Sequence, residues 1–177
     1  MKRILLVAIL ATISLSAFSQ NVIKFLGIPV DGTKREMITK LVAKGYELDS
    51  ESDALFGEFN GIDAVIAIQT VNNRVWRIGI SDLNTINEAN IKIRFNNLFD
   101  QLSNNAKYEL VDGCKLKDSD DISYEMHIHN KRFDAIFAPK DKTIHGAVWY
   151  TITESYGKYR IAMFYENLDN AANGDDL

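Results

Sequence analysis

The sequence predicts an α+β fold made of two tandem units, each a helix followed by an antiparallel meander, with the helices packed on one face of the sheet. Three observations lead to this prediction. The tripeptide Tyr-Glu-Leu occurs at 46–48 and again at 108–110. Each copy follows a segment with the apolar periodicity of an amphipathic helix. After each copy come runs of alternating apolar and polar residues separated by turn pairs.

The first helix is predicted over residues 33–44. Thr33 and Glu36 have the spacing of a capping box, in which each side chain bonds the backbone of the other. Gly45 is suited to end the helix because glycine adopts the left-handed conformation without strain. The apolar face of this helix is formed by Met37, Ile38, Leu41 and Val42.

The second helix is predicted to begin in the same way and to end before the polar residues 103–105. Thr85 and Glu88 repeat the capping spacing of the first helix. The predicted apolar face is formed by Ile91, Phe95, Leu98, Phe99 and Leu102. Both predicted helices are therefore followed by a copy of Tyr-Glu-Leu.

Strands are predicted on either side of four turn pairs, which are Asn60-Gly61, Asn72-Asn73, Asn130-Lys131 and Tyr156-Gly157. The predicted strands cover 55–59, 62–71 and 74–82 in the first unit, and 122–129, 132–139, 146–154 and 158–166 in the second. A duplication is indicated because two further matches follow Tyr-Glu-Leu in the same order. Residues 62–66 match 133–137, and residues 76–78 match 159–161. Chance similarity between β-prone segments is the alternative.

The predicted organisation is a signal peptide over 1–19 and a single domain over 20–177. The domain is divided into repeats of about 22–82 and 83–167 and ends in a polar tail over 168–177. A cleaved signal is indicated because a positive start and an apolar run precede small residues at the cut. A membrane anchor is the alternative, but the apolar run is shorter than the roughly 20 residues that a span requires.

Charge and cysteine content exclude several functional classes. Without Lys2 and Arg3 the chain has 20 − 2 = 18 basic residues against 24 acidic ones, so its net charge goes from −4 to −6. An acidic surface does not favour nucleic acid, whose phosphates require basic residues. Cys114 is the only cysteine, which excludes an intramolecular disulfide and a multi-cysteine metal site. No cofactor is expected.

Strand alternation divides the side chains into two sets, because successive residues of a strand point to opposite faces. The set predicted to face the helices is Trp76, Ile78, Ile80, Tyr124, Met126, Ile128, Phe133, Phe137, Val148, Tyr150, Ile152, Tyr159, Ile161 and Met163. The set predicted to face outward is Asp63, Arg77, Glu125, His127, His129, Asp134, Trp149, Thr151, Arg160 and Phe164.

The segment FLGIPVDGTKREMITKLVAKGYE, followed by hairpins, resembles the repeats of small secreted bacterial proteins of unknown function. More loosely, Gly32-Thr33 at the helix start and the order of elements are similar to the tandem repeats of the β-lactamase inhibitor protein fold and of outer-membrane assembly lipoprotein domains. Inhibitor proteins of this group bind partner proteins across a concave sheet, so the resemblance implies a binding module. The chain departs from both groups because it has neither a disulfide nor a cysteine near the predicted cut.

A metal site or hydrolase in the cell envelope is the alternative function. His127 and His129 are two residues apart in a predicted strand, so their rings are expected on the same side as Glu125. Imidazoles at this spacing can converge on one ion, and His145 is a candidate third ligand. Two exposed histidines on a sheet are equally well explained without a ligand.

Non-catalytic binding by the outward sheet face is the favoured function, because no nucleophile, phosphate-loop or dinucleotide motif is present. Arginine and aromatic residues anchor protein interfaces. The candidate partner-binding residues are Arg77, Trp149, Thr151, Arg160 and Phe164. The expected partner is a protein of the cell envelope, in the periplasm or the medium. The sequence leaves open the oligomeric state and whether a loop or the tail covers the two aromatic residues.

Overall fold

The computed structural model describes residues 21–172, in which ten strands and four helices are defined. The strands are β1 (Lys24–Phe25), β2 (Ile28–Pro29), β3 (Glu47–Asp49), β4 (Ala54–Phe59), β5 (Ile62–Val71), β6 (Arg74–Asp82), β7 (Tyr108–Asp112), β8 (Asp134–Pro139), β9 (Gly146–Ser155) and β10 (Lys158–Asn167). The helices are α1 (Lys34–Val42), α2 (Glu88–Ser103), α3 (Ile122–His129) and α4 (Leu168–Ala172).

Eight of the strands form one antiparallel sheet in the order β3-β4-β5-β6-β10-β9-β8-β7, and β1 pairs with β2 in a separate ribbon. Strands that follow one another in the chain are neighbours in each half of the sheet. The two halves join where β6 pairs with β10, and β3 and β7 form the edges. The molecule is therefore an α+β protein built on one large antiparallel sheet.

One hydrophobic core lies between the sheet and the helices. Met37 and Leu41 of α1 are fully buried in this core, as are Ile91 and Phe95 of α2. The sheet contributes alternate residues of its central strands, including Ile66, Ile78, Tyr150 and Ile161. We call the side of the sheet that carries these residues the inner face, and the opposite side the outer face.

Helix α1 has the capping box that the sequence predicts. The Thr33 hydroxyl accepts a hydrogen bond from the Glu36 backbone N–H at 3.3 Å, and the Glu36 carboxylate accepts one from the Thr33 N–H at 2.9 Å. Gly45 follows the helix with a φ of 97°. The two hydrogen bonds of the capping box satisfy backbone donors that the first turn of a helix otherwise leaves without partners.

Helix α2 is capped by a different residue from the one predicted. Its N-cap is Asn87, whose side chain accepts a hydrogen bond from the Asn90 N–H at 2.9 Å. The prediction of a capping box at Thr85 is therefore wrong. Glu88 instead accepts a hydrogen bond from the Ile122 N–H at 3.0 Å, which ties the start of α2 to the start of α3.

Three of the four predicted turn pairs connect hairpins. Both residues of Asn60-Gly61, Asn72-Asn73 and Tyr156-Gly157 have positive φ, with values between 49° and 76°. Tight two-residue turns with this geometry match the twist of the flanking strands. The strands on either side of Asn72-Asn73 run from Ile62 to Val71 and from Arg74 to Asp82, as predicted.

The predicted strand over residues 122–129 is wrong, because this segment is helix α3. The Asp121 side chain accepts a hydrogen bond from the Tyr124 N–H at 2.8 Å and caps its start. Asn130 has a φ of 51° and ends the helix in the left-handed conformation. Tyr124 and Ile128 are consequently exposed rather than in the core. Alternating apolar residues fit a strand, but the two caps favour a single short helix here.

The proposed match between residues 62–66 and 133–137 is also wrong. The first segment lies in β5, the third strand from one edge of the sheet, whereas the second lies mainly in β8, the second strand from the other edge. Similar alternation of apolar residues arises in any half-buried strand, so the similarity does not report a shared position.

Trp76 does not belong to the core, contrary to the prediction from alternation. Gln69 pairs with Arg77 and Thr70 pairs with Val75, so Trp76 is an extra residue in β6. A bulge of this kind breaks the alternation of side chains between the two faces. Trp76 is partly exposed, and the Arg77 guanidinium carbon lies 4.0 Å from its ring centroid.

The predicted polar tail begins with an ordered helix. Residues 168–172 form α4. Asn170 is buried, and its amide donates hydrogen bonds to Val75 O at 2.7 Å and to Asp31 Oδ1 at 2.9 Å.

The predicted signal peptide and residues 173–177 lie outside the described residues. None of the helices in the described part of the chain has the length and apolar character needed to cross a membrane.

Candidate functional site

The outer face is the candidate site, because solvent reaches apolar side chains along its central strands. Helices α1 and α2 contribute to the core on the inner face only. The partly exposed side chains of the outer face include Val65, Ile136, Trp149, Thr151, Ala162 and Phe164. These partly exposed apolar side chains in the middle of the sheet make the outer face the candidate contact surface.

Trp149 and Phe164 form the centre of the outer face. They are cross-strand partners in β9 and β10, and their rings stack with centroids 4.2 Å apart and an angle of 25° between planes. Gly79 in β6 is the partner of Phe164 on the other side. A Cβ atom at Gly79 would lie 3.4 Å from the Phe164 ring, so this glycine lets the ring lie close to the sheet.

Arg77 is placed beside this stack by the bulge in β6. Its guanidinium carbon lies 4.0 Å from the Trp76 ring centroid and 5.4 Å from that of Phe164. An arginine next to aromatic rings is attracted by their π electrons. The bulge therefore aligns Trp76 and Arg77 so that they extend the aromatic surface from β9 and β10 to β6.

Glu166 connects Arg77 and Trp149 through its carboxylate. Its carboxylate lies 2.6 Å from an Arg77 guanidinium nitrogen, and it accepts a hydrogen bond of 2.8 Å from the Trp149 indole N–H. Only 7% of Glu166 is exposed. Its charge is matched by Arg77, as the burial of a carboxylate requires. The tryptophan ring is consequently held in one orientation.

Two buried polar side-chain atoms have no hydrogen-bond partner among the described residues. They are Nε of Arg77 and Oδ1 of Asp134, and both residues belong to the outer face. The other carboxylate oxygen of Asp134 lies 3.2 Å from Nε of Arg132. Unpaired buried atoms are rare in native proteins because they lose the hydrogen bonds that water would supply. Among the described residues, buried side-chain atoms without a hydrogen-bond partner therefore occur on the outer face and not on the inner face.

The structure brings three of the predicted partner-binding residues into contact, namely Arg77, Trp149 and Phe164. Thr151 lies on the same face, two residues further along β9, where it pairs with Ala162 and Asp134.

Arg160 is separated from this group. It pairs with Thr153, four residues along β9 from Trp149, so it is not a direct neighbour of Trp149.

Sequence reasoning missed Trp76 and Glu166 in this site. Glu166 has the same strand parity as Phe164 and could have been placed on the outer face from alternation. Trp76 could not, because only the pairing of β5 with β6 reveals the bulge.

The proposed metal ligands do not have the geometry of a strand, because they belong to α3. Residues two apart in a helix are rotated by about 200°, so His127 and His129 point in different directions. Nδ1 of His129 lies 3.2 Å from Glu125 Oε2, while His127 Nε2 lies 3.7 Å from Glu154 Oε2. His145 is 2.8 Å from Asp169 and does not join them. In residues 21–172 no group of three or more His, Cys, Asp or Glu is placed to hold a metal ion.

Comparison of the chain with family models, with curated proteins and with solved structures gave no match.

Proposed function

We propose that the protein is an exported, non-catalytic binding module that holds a protein partner on its outer face. The observation that carries this proposal is the stack of Trp149 on Phe164, fixed by Arg77 and Glu166, on a side of the sheet that solvent reaches. Tryptophan and arginine are the residue types that most often dominate the energy of protein interfaces.

The rigidity of the group supports a binding role. Ordering side chains on association costs about 0.5–1.5 kcal/mol for each flexible one, and this cost weakens a complex. The indole of Trp149 is already held by its hydrogen bond to Glu166 and by the Phe164 ring. A partner that packs on these rings therefore meets a surface that needs little further ordering.

We also propose that the fold consists of two tandem units that meet at the binding site. The sheet order supports this, because β3-β4-β5-β6 and β7-β8-β9-β10 run inward from opposite edges. The match of residues 76–78 with 159–161 falls on β6 and β10, the innermost strand of each half. In this arrangement the anchors come from both units, and the resemblance to partner-binding tandem repeats agrees with such a role.

Export is part of the proposal and rests on the pattern of the first 19 residues. It places the partner in the cell envelope or the medium. Amino-terminal sequencing of the native protein tests this step. A mature chain that begins at or near Gln20 supports export, and an intact Met1 contradicts it.

The binding proposal is tested by capture followed by a direct affinity measurement. The protein is used as bait in an envelope extract, the captured protein is identified by mass spectrometry, and its purified form is titrated against each variant. Trp149→Ala and Phe164→Ala should each weaken binding by at least about tenfold.

The matched control is Tyr156→Ala, which removes a fully exposed aromatic residue from a hairpin turn outside the site. This variant should bind like the wild type. Equal affinity of all four proteins for the identified partner would reject the outer face as the binding surface.

A further inference from the structure

A cavity of about 400 Å³ lies away from the outer-face aromatic group, where three distant parts of the chain meet. These parts are the β1–β2 ribbon with the residues before it, the start of β7 and the loop between β8 and β9. Small-molecule sites usually have volumes of roughly 300–1,000 Å³. The size of this cavity is therefore sufficient for a small ligand.

Part of the cavity wall is apolar. Val22 and Ile23 are buried residues on one side of it, and Pro139 and Ile144 lie on the other. Ile144 is partly buried and packs against the hydrophobic core. Apolar walls of this kind favour a ligand with a hydrocarbon or aromatic body, because its burial removes apolar surface from water.

The lining also concentrates positive charge. Lys24, Lys107 and Lys140 all belong to it, and none of them forms an ion pair with a described residue. The backbone N–H of Lys140 donates to the carbonyl of Lys107 at 2.9 Å, which keeps these two residues adjacent. The net charge of the chain is −4, so the positive charge of these three lysines is opposite in sign to that of the protein as a whole.

Asp141 is the only acidic residue of the lining, and it is already engaged. Its carboxylate accepts hydrogen bonds from the Thr143 hydroxyl at 2.7 Å and from the Asn21 amide at 3.1 Å. The lysines therefore outnumber the acid by two charges, and the cavity attracts an anion.

Tyr108 supplies a hydrogen-bond donor that the protein itself does not use. Tyr46, the residue of the other Tyr-Glu-Leu copy, donates its hydroxyl to the Glu58 carbonyl at 2.9 Å. The Tyr108 hydroxyl forms no hydrogen bond with any described residue, although the side chain is largely buried and lines the cavity. Burial raises the pKa of Tyr108, so its hydroxyl remains protonated and available to donate.

We infer that this cavity binds a small molecule that carries one anionic group on an apolar body. The anionic group is bound by the lysines and by the Tyr108 hydroxyl, and the apolar body packs against Ile23 and Ile144. This site is independent of the binding role proposed for the outer face, because it shares no residue with the group formed by Trp149, Phe164, Arg77 and Glu166.

The test is a calorimetric titration of the purified protein with decanoate, an anionic ligand with an apolar chain. Decanol, which has the same chain length without the charge, is the matched ligand. The wild type should bind decanoate at least about tenfold more tightly than decanol. Equal affinity for the two ligands, or failure of decanoate to bind, would overturn the inference without the need for any variant.

A pair of triple variants locates the site. K24Q/K107Q/K140Q removes the cavity lysines, whereas K44Q/K117Q/K158Q removes three exposed lysines that lie outside the cavity and form no ion pair with a described residue. The first variant should lose at least about tenfold in decanoate affinity and the second should match the wild type. Equal affinities of the two variants would show that binding occurs elsewhere.

Tyr108→Phe provides a second measurement with minimal change in shape. It should weaken decanoate binding by about threefold to thirtyfold and decanol binding by less, since a hydrogen bond to a carboxylate is stronger than one to an alcohol. An unchanged affinity for decanoate would remove Tyr108 from the site.

Discussion

The Trp149 indole stacks on the Phe164 ring across two neighbouring strands, and its N–H donates to Glu166 two residues along from Phe164. One β10 segment thus fixes both the plane and the rotation of the tryptophan. A side chain held in this way on a solvent-accessible face does not fill a space in the core. Its removal should therefore have a different effect from the removal of a core aromatic residue.

The first prediction compares Trp149 with its neighbour Tyr150, which is fully buried on the inner face and donates its hydroxyl to the Phe95 carbonyl at 3.0 Å. Tyr150→Ala should lower the free energy of unfolding by about 3–5 kcal/mol, the usual loss for emptying an aromatic core site. Trp149→Ala should cost clearly less. Urea denaturation of both variants measures the difference, and equal losses would assign Trp149 to the core.

The second prediction concerns the buried ion pair that joins α2 to the end of β6. A guanidinium nitrogen of Arg94 lies 3.0 Å from Asp82 Oδ1, and both side chains are almost completely buried. Arg94→Leu leaves the buried Asp82 carboxylate without its ion-pair partner and should cost about 3–5 kcal/mol of stability.

The exposed pair of Lys115 and Asp100 is the control for this experiment. Lys115→Ala should cost less than about 1 kcal/mol, because solvent screens an exposed pair. Similar losses in Arg94→Leu and Lys115→Ala would mean that burial does not strengthen the first pair.

The third prediction separates the two residues that compete for the N-cap of α2. Asn87→Ala should lower stability by about 1 kcal/mol, because it removes the hydrogen bond to the Asn90 N–H. Thr85→Ala should cost less, since Thr85 lies outside the helix. Thermal denaturation of the two variants decides between them, and a larger loss in Thr85→Ala would restore the capping box suggested by the sequence.

The fourth prediction concerns the acid dependence of stability through Asp31. Burial disfavours the charged form, but hydrogen bonds from Asn170, the Gly32 backbone and Arg74 outweigh it and lower the pKa of Asp31. A lowered pKa contributes stability that is present above the unfolded value of about 4 and is lost as the pH falls through the folded value. Asp31→Asn removes this contribution.

The measurement is the urea midpoint of the wild type and Asp31→Asn at about pH 6 and about pH 3. The variant should be less stable at the higher pH, and the difference should shrink at the lower one. A difference for Asp31→Asn that is independent of pH would contradict the role assigned to its charge.

Local signals in the sequence were sufficient for much of the fold. The bounds of β5 and β6 agree with the sequence prediction, because Asn72-Asn73 determines where one strand ends and the next begins. The capping box of α1 was likewise predicted from Thr33 and Glu36. In both cases the deciding contacts lie within a few residues of one another.

The failures depend on contacts between residues far apart in the chain or on competing local signals. Trp76 was assigned to the core because alternation ignores the bulge, which only the pairing with β5 reveals. The segment 122–129 alternates like a strand, but its caps make it a helix. The cavity beside Tyr108 could not be predicted at all, since residues 21–27, 106–108 and 139–144 meet only in the folded chain.

Site-specific photo-cross-linking in the native host tests the central claim most directly. Ala67 is exposed on the outer face, in the cross-strand row that continues through Gly79 and Phe164 to Trp149. Ile93 is exposed on α2 and serves as the control on the opposite side. A p-benzoylphenylalanine residue at position 67 should form an adduct with a partner protein, and one at position 93 should not. An adduct at position 93 with none at position 67 would contradict binding by the outer face.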